Sequence, residues 1–187
     1  MRRLVALLLA VAAGAACGTP PEKEYHQAVG AIEAARAAGA ATFATEELAA
    51  AEQLLVRYDE AVGQRDYRQA LSHALDARER ATAAAAKAAS DKALIRGETE
   101  RRIQAVSAEA EVARRTAAAA PRGQAPALRT LRETIFSTEK ALQDARAALE
   151  RDEIMAARQA LEGVEDRLAE ALKPFRRAGG AASTPRR

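Results

Sequence analysis

Residues 48–88 decide the fold: LAAAEQLLVRYDEAV at 48–62, GQRD at 63–66, and YRQALSHALDARERATAAAAKA at 67–88. Small or apolar residues recur at alternating steps of three and four on both sides of GQRD, first at Leu48, Ala51, Leu55, Tyr58 and Val62. Such steps place one apolar seam on each helix, as in coiled coils. Asp66 can cap the second helix, with Gln69 as its partner three residues later. The sequence therefore predicts two helices joined by a tight turn.

The same seam continues over most of the chain. Residues 66–119 form one pattern, about 80 Å long as a helix, whose seam slips by one residue near Gly97. At an offset of 87 residues the first hairpin maps onto a second one: Glu52 falls on Glu139, and Asp152 is expected to cap like Asp66. The predicted fold is all-α, with elongated antiparallel helical hairpins in a coiled-coil-like bundle around one long central helix.

Composition shifts and prolines set the expected boundaries along the chain. Three prolines mark boundaries: Pro121 and Pro126 bracket a loop, and Pro174 is expected to end the final helix. The resulting segments are a signal peptide (1–17), a tether (18–23), an N-terminal helical domain (24–120), a loop (121–126), a C-terminal hairpin (127–175) and a disordered tail (176–187).

The first 17 residues, MRRLVALLLAVAAGAAC, have the pattern of an export signal: two arginines, a short apolar run and small residues. Gly14-Ala15-Ala16-Cys17 resembles the lipobox of bacterial lipoproteins, in which the cysteine carries the lipid. Gly14 departs from the aliphatic residue usual there, and cleavage after Ala15 or a buried free thiol are the alternatives. Gly18, rather than Asp, after Cys17 indicates an outer-membrane lipoprotein facing the periplasm.

The chemical inventory argues against catalysis. The chain has one Cys, two His and no Trp, and aromatic residues make up 3%. A zinc site needs three or four ligands at workable spacing, and no phosphate-binding loop or nucleophile elbow is present. The expected protein is not an enzyme and has no metal, no cofactor and no small-molecule substrate. Without Arg2 and Arg3, 27 Lys and Arg face 26 Asp and Glu, so no nucleic-acid partner is expected.

The aromatic residues of the first hairpin leave two interpretations open. Tyr25, Phe43, Tyr58 and Tyr67 are expected to cluster at one end of it. They either close that end as core, or Tyr25, Tyr58 and Tyr67 contact a partner. Because alanine buries little area, the core is expected to be thin, which predicts self-association or an envelope protein as partner. The other expected partner is the membrane, bound through a lipid on Cys17.

Residues 24–92 resemble a bacterial domain-of-unknown-function family numbered 4398, found in small exported lipoproteins. The matching residues are AIEAARAAGA at 31–40, Glu46-Glu47-Leu48, Ala51-Glu52 and Arg65-Asp66-Tyr67 followed by Ala70. The resemblance implies an Ala-rich helical hairpin like that of tetratricopeptide repeats. The expected function is a lipid-anchored helical scaffold or spacer in the periplasm. The alternative is a tetratricopeptide-like module that binds peptides or an envelope polymer.

Overall fold

The computed structural model describes residues 18–120 and 125–181. This part of the chain is all-α and contains no β-strand. The helices, in chain order, are α1 (Glu22–Ala37), α2 (Ala40–Phe43), α3 (Thr45–Gly63), α4 (Tyr67–Ala119), α5 (Ala125–Glu150), α6 (Ile154–Ala160) and α7 (Val164–Ala181). The 53-residue α4 is the long central helix. The predicted all-α bundle is therefore confirmed.

The chain divides into two compact units, and the division lies inside α4, between Lys92 and Ala93. The later part of α4 belongs to the second unit because its Ile103 and Val106 share a core cluster with Leu142 and Leu161. The boundary therefore falls within the long helix and not at the loop of residues 121–126. α1 also begins at Glu22, inside the predicted tether, with Pro21 at its N-cap.

The first unit has a core of small side chains. Ile32 and Leu48 supply its larger apolar groups, from α1 and α3. The first part of α4 contributes a row of fully buried alanines: Ala70, Ala74, Ala77, Ala81, Ala84 and Ala88. Alanine at these positions allows helix axes to lie at the short end of the usual 8–10 Å separation.

The second unit has a core of larger side chains from α4, α5, α6 and α7. Leu131, Leu161 and Leu168 are fully buried. At the edge of this core, Arg102 on α4 donates two hydrogen bonds to the carboxylate of Glu165 on α7, at 3.1 and 3.0 Å. This paired geometry is the strongest arrangement of an arginine with a carboxylate, so it fixes the register of the two helices.

The two tight turns have the same backbone hydrogen bonds at the offset of 87 residues. In each turn one N–H donates to the carbonyl five residues earlier, at 2.9 Å; the pairs are Asp66 to Ala61 and Glu153 to Ala148. The residue before each donor is left-handed, with φ of 60° at Arg65 and 63° at Asp152. This six-to-one bond with a left-handed residue is the Schellman motif that ends helices.

The alignment of the turns explains one correct and one wrong capping prediction. The carboxylate of Asp66 accepts a hydrogen bond from the N–H of Gln69 at 2.9 Å, as predicted. The prediction for Asp152 is wrong, because Asp152 is the left-handed residue and thus corresponds to Arg65. Glu153 precedes α6 instead, and it makes no capping hydrogen bond.

An arginine–glutamate ion pair is also repeated. Arg36 on α1 binds Glu52 on α3 at 2.7 Å, and Arg114 on α4 binds Glu139 on α5 at 2.7 Å. The glutamates are 87 residues apart and the arginines 78, so nine more residues separate the paired side chains in the second unit. The glutamates therefore keep the offset of the two turns, whereas the arginines do not.

The seam of α4 changes phase where the sequence predicted. The partly buried Ile95 is followed by buried Thr99 and Ile103, two successive steps of four. Thr99, which is 3% exposed, donates its hydroxyl to the carbonyl of Ile95 at 2.8 Å. The shifted seam buries the hydroxyl of Thr99, and this bond within the helix gives that hydroxyl a hydrogen-bond partner.

The prediction that Pro174 ends the last helix is wrong. Pro174 lies inside α7, which continues to Ala181, so residues 176–181 of the expected tail are helical. Inside a helix, proline removes one N–H donor and its ring crowds the carbonyl four residues earlier, which costs about 3 kcal/mol. Buried Leu172 and the partly buried Phe175 pack in the core on either side of it, and this packing keeps the helix formed. Residues 182–187 lie outside the described residues.

Candidate functional site

The predicted lipidation site, Cys17, and the rest of the signal segment, 1–17, lie outside the described residues. The described chain starts at Gly18, which lies beside Tyr67 at the start of α4. A Cβ on Gly18 would be 3.6 Å from the Cδ2 of Tyr67. The first described residue is therefore already in contact with the first unit, next to the turn at Asp66.

Tyr25 and Tyr58 form an aromatic stack between α1 and α3. Their ring centroids are 4.7 Å apart with an interplanar angle of 28°. Tyr58 is only 5% exposed and packs with Ala61, Ala70 and Ala74. Burial raises the pKa of the Tyr58 phenol, and nearby Glu22 and Asp59 raise it further. Tyr58 is therefore placed as a core residue.

The other two aromatic residues, Tyr67 and Phe43, take no part in this stack. Tyr67 is half-buried and lies beside Gly18. Phe43 packs in a different cluster, with Ile32 and Leu48. The expected four-residue aromatic cluster is therefore wrong in including Phe43. Phe43 lies too far along the hairpin, since α2 packs at the opposite end of α3 from Tyr58.

The two histidines do not form a joint site. His26 is exposed and meets the edge of Tyr25, with ring centroids 5.6 Å apart. His73 is half-buried, and its Nδ1 is buried with no hydrogen-bond partner among the described residues. Within residues 18–120 and 125–181, no group of three or more His, Cys, Asp or Glu side chains is arranged to hold a metal ion.

The adjacent carboxylates Asp152 and Glu153 are each matched with an arginine. Asp152 accepts a hydrogen bond from Arg96 at 3.3 Å, and Glu153 binds Arg151 at 2.9 Å. The hydrogen bond from Arg151 lowers the pKa of the Glu153 carboxyl. Both carboxylates are exposed at the turn, so they support the turn and face solvent.

Two surface features were not singled out from the sequence. Phe136 on α5 is 73% exposed. A groove in the first unit is lined by Leu54, Asp76, Glu79, Arg80 and Ala83, with a volume of about 470 Å³. The seam could have indicated the first feature, because Ile135 and Thr138 take the inward positions and leave Phe136 pointing outward. The groove depends on how α3 and α4 pack, which the sequence pattern does not specify.

The comparisons with known proteins give no relative. The chain matches no protein-family model, and no curated protein or solved structure is similar to it. The resemblance of residues 24–92 to the family numbered 4398 therefore stays a prediction. In the portion of the chain that the structure describes, none of the helices combines the length and the apolar character needed to span a bilayer.

Proposed function

We propose that this protein is a non-enzymatic lipoprotein of the bacterial cell envelope that acts as a helical scaffold in the periplasm. Lipid on Cys17 would attach it to the outer membrane. The helical units would then hold a partner, either another envelope protein or a second copy, at the membrane surface.

The observation that carries the proposal is the position of Cys17 immediately before the helical body. Only residues 18–21 separate it from α1, and Gly18 already lies against Tyr67. One acyl chain gives only marginal membrane binding, but several chains on one cysteine anchor a protein stably, at about 0.8 kcal/mol per buried CH₂. A lipid at this position would therefore hold the first unit close to the bilayer.

The packing supports a scaffold more than a tyrosine-lined groove. In each unit one surface ion pair links two helices, Arg36 with Glu52 and Arg114 with Glu139. The stacking and burial of Tyr58 leave little of its ring for a ligand. Packed helices linked at their surfaces in this way are compatible with a spacing element, which has to keep its helices aligned.

The anchor is tested on the full-length chain expressed in a Gram-negative bacterium. We expect the mass of the N-terminal peptide to show acyl groups on Cys17 and the protein to co-sediment with outer membrane. Cys17→Ser should remove the acyl mass and release the protein, whereas the neighbouring Thr19→Ser should leave both unchanged. Gly18→Asp should move the protein to the inner membrane. An unacylated N-terminus in the wild-type chain would refute the anchor.

The scaffold role is tested by crosslinking in intact cells that express the wild-type chain. The expected result is a covalent product larger than the monomer that contains an envelope protein or a second copy. A chain that stays monomeric after crosslinking, although acylated, would contradict the scaffold role and leave the anchor intact.

A further inference from the structure

The outer face of α5 carries an exposed aromatic ring flanked by cations. Phe136 has Arg132 four residues before it and Lys140 four residues after it, with Arg129 a further turn away, and all are exposed. Residues at these spacings share one helix face. The three cations make no hydrogen bond or ion pair with the described residues. Glu133 and Glu139 lie three residues before and after Phe136, so this Phe136 face has a net charge of +1. Glu139 is already bound by Arg114 at 2.7 Å.

The first unit carries a groove of complementary chemistry. The half-buried Leu54 of α3 and Ala83 of α4 form its apolar part, and Asp76 and Glu79 on α4 lie at its edge. Neither carboxylate makes an ion pair with the described part of the chain. Arg80 also lines it, so this Leu54 groove has a net charge of −1. Its volume of about 470 Å³ is sufficient for an aromatic side chain.

The charges of the two chain regions have opposite signs. Residues 18–92 contain nine Lys and Arg against twelve Asp and Glu, a net charge of −3. Residues 93–187 contain 18 against 14, a net charge of +4. Opposite potentials steer association and select the orientation of partners. A contact between the second unit of one copy and the first unit of another therefore gains from the overall charge as well as from the local groups.

We propose that the Phe136 face of one copy docks into the Leu54 groove of a second copy. Phe136 would pack on Leu54 and Ala83, while Arg132 and Lys140 would approach Asp76 and Glu79. A buried aromatic anchor surrounded by polar groups is the usual arrangement of an interaction hot spot. The two surfaces differ, so each docked pair leaves one face and one groove open to further copies.

The proposal is tested on the Cys17→Ser protein, which retains every described residue and carries no lipid, by analytical ultracentrifugation. We expect concentration-dependent self-association that weakens as salt is added. Phe136→Ala should weaken it at least about tenfold. Met155→Ala removes another exposed apolar side chain of the second unit, 46% exposed, and should leave association unchanged. Circular dichroism confirms that both variants retain their helices.

Charge reversal makes the test specific for this pair of surfaces. The face variant Arg132→Glu with Lys140→Glu and the groove variant Asp76→Lys with Glu79→Lys should each be monomeric alone. Their equimolar mixture should associate again, because the reversed face matches the reversed groove. A wild-type chain that is monomeric at every concentration, association insensitive to Phe136→Ala, or a mixture that does not associate would each overturn the proposal. These outcomes do not depend on acylation, so they are separate from the failure of the anchor.

Discussion

At the scale of single residues, Tyr58 combines a packing role with a titratable group. Its ring stacks on Tyr25 and packs with three alanines. Because alanine side chains are small, the ring of Tyr58 fills most of the space between these helices. Burial raises the pKa of that phenol because water no longer stabilises the phenolate. The folded chain therefore binds the phenol proton more tightly than the unfolded chain does.

We therefore expect an alkaline loss of stability that depends on Tyr58. A raised pKa contributes stability that is present below the usual phenol value of 10.0 and is lost as the pH rises through the higher value of the folded state. Urea titrations at increasing pH should show this loss in the wild-type chain and in Tyr67→Phe, but not in Tyr58→Phe. Tyr58→Ala should cost about 3–5 kcal/mol at neutral pH, as for other buried aromatics. An unchanged alkaline profile in Tyr58→Phe would contradict this assignment.

At the scale of elements, the turns after α3 and α5 are the same structure made from different residues. Each turn contains a non-glycine residue with a positive φ. This residue is Arg65 in the first turn and Asp152 in the second. Side chains in the left-handed region cost about 1–2 kcal/mol because the Cβ crowds a carbonyl oxygen. The turns persist because the backbone hydrogen bonds and the buried helix faces on both sides hold them.

Arg65→Gly should consequently stabilise the first unit, by up to about 1 kcal/mol, because glycine adopts a positive φ without crowding. Gln64→Gly is the matched control one residue earlier. Gln64 has a right-handed φ of −83°, so glycine there gains nothing and adds freedom to the unfolded chain. Thermal unfolding should give a higher midpoint for Arg65→Gly and an equal or lower one for Gln64→Gly. The reverse order would show that the side chain of Arg65 contributes more than its backbone strain costs.

The sequence predicts those features that depend on periodicity. The seams, the two turns and the phase change at Thr99 follow from steps of three and four. The capping by Asp66 follows from a local rule, the capping-box spacing to Gln69. The position of the division inside α4, the groove beside Leu54 and the continuation of α7 past Pro174 depend on tertiary packing. Lipidation of Cys17 depends on processing of the signal segment, and Cys17 lies outside the described residues. Local rules therefore give the helices, whereas their contacts decide where units and surfaces lie.

At the scale of the whole molecule, the two units repeat one plan with different core volumes. At the offset of 87 residues, Ala74, Ala77 and Ala81 of the first unit correspond to Leu161, Val164 and Leu168 of the second. Each fully buried leucine or valine contributes about 1.5–3 kcal/mol relative to exposure, whereas alanine contributes much less. The second unit therefore has the larger hydrophobic stabilisation, although both have the same hydrogen-bonded turns.

We expect the first unit to open at a lower free energy than the second. Native-state hydrogen exchange should show faster exchange in α3 than in α5, because exchange of core amides follows the local free energy of opening. Leu168→Ala should cost the second unit about 2–5 kcal/mol and bring its exchange closer to that of the first. Ala81→Leu, the reciprocal change, should destabilise the first unit by about 1–3 kcal/mol through overpacking. Protection in α3 equal to or above that in α5 would mean that close alanine packing compensates fully for the missing volume.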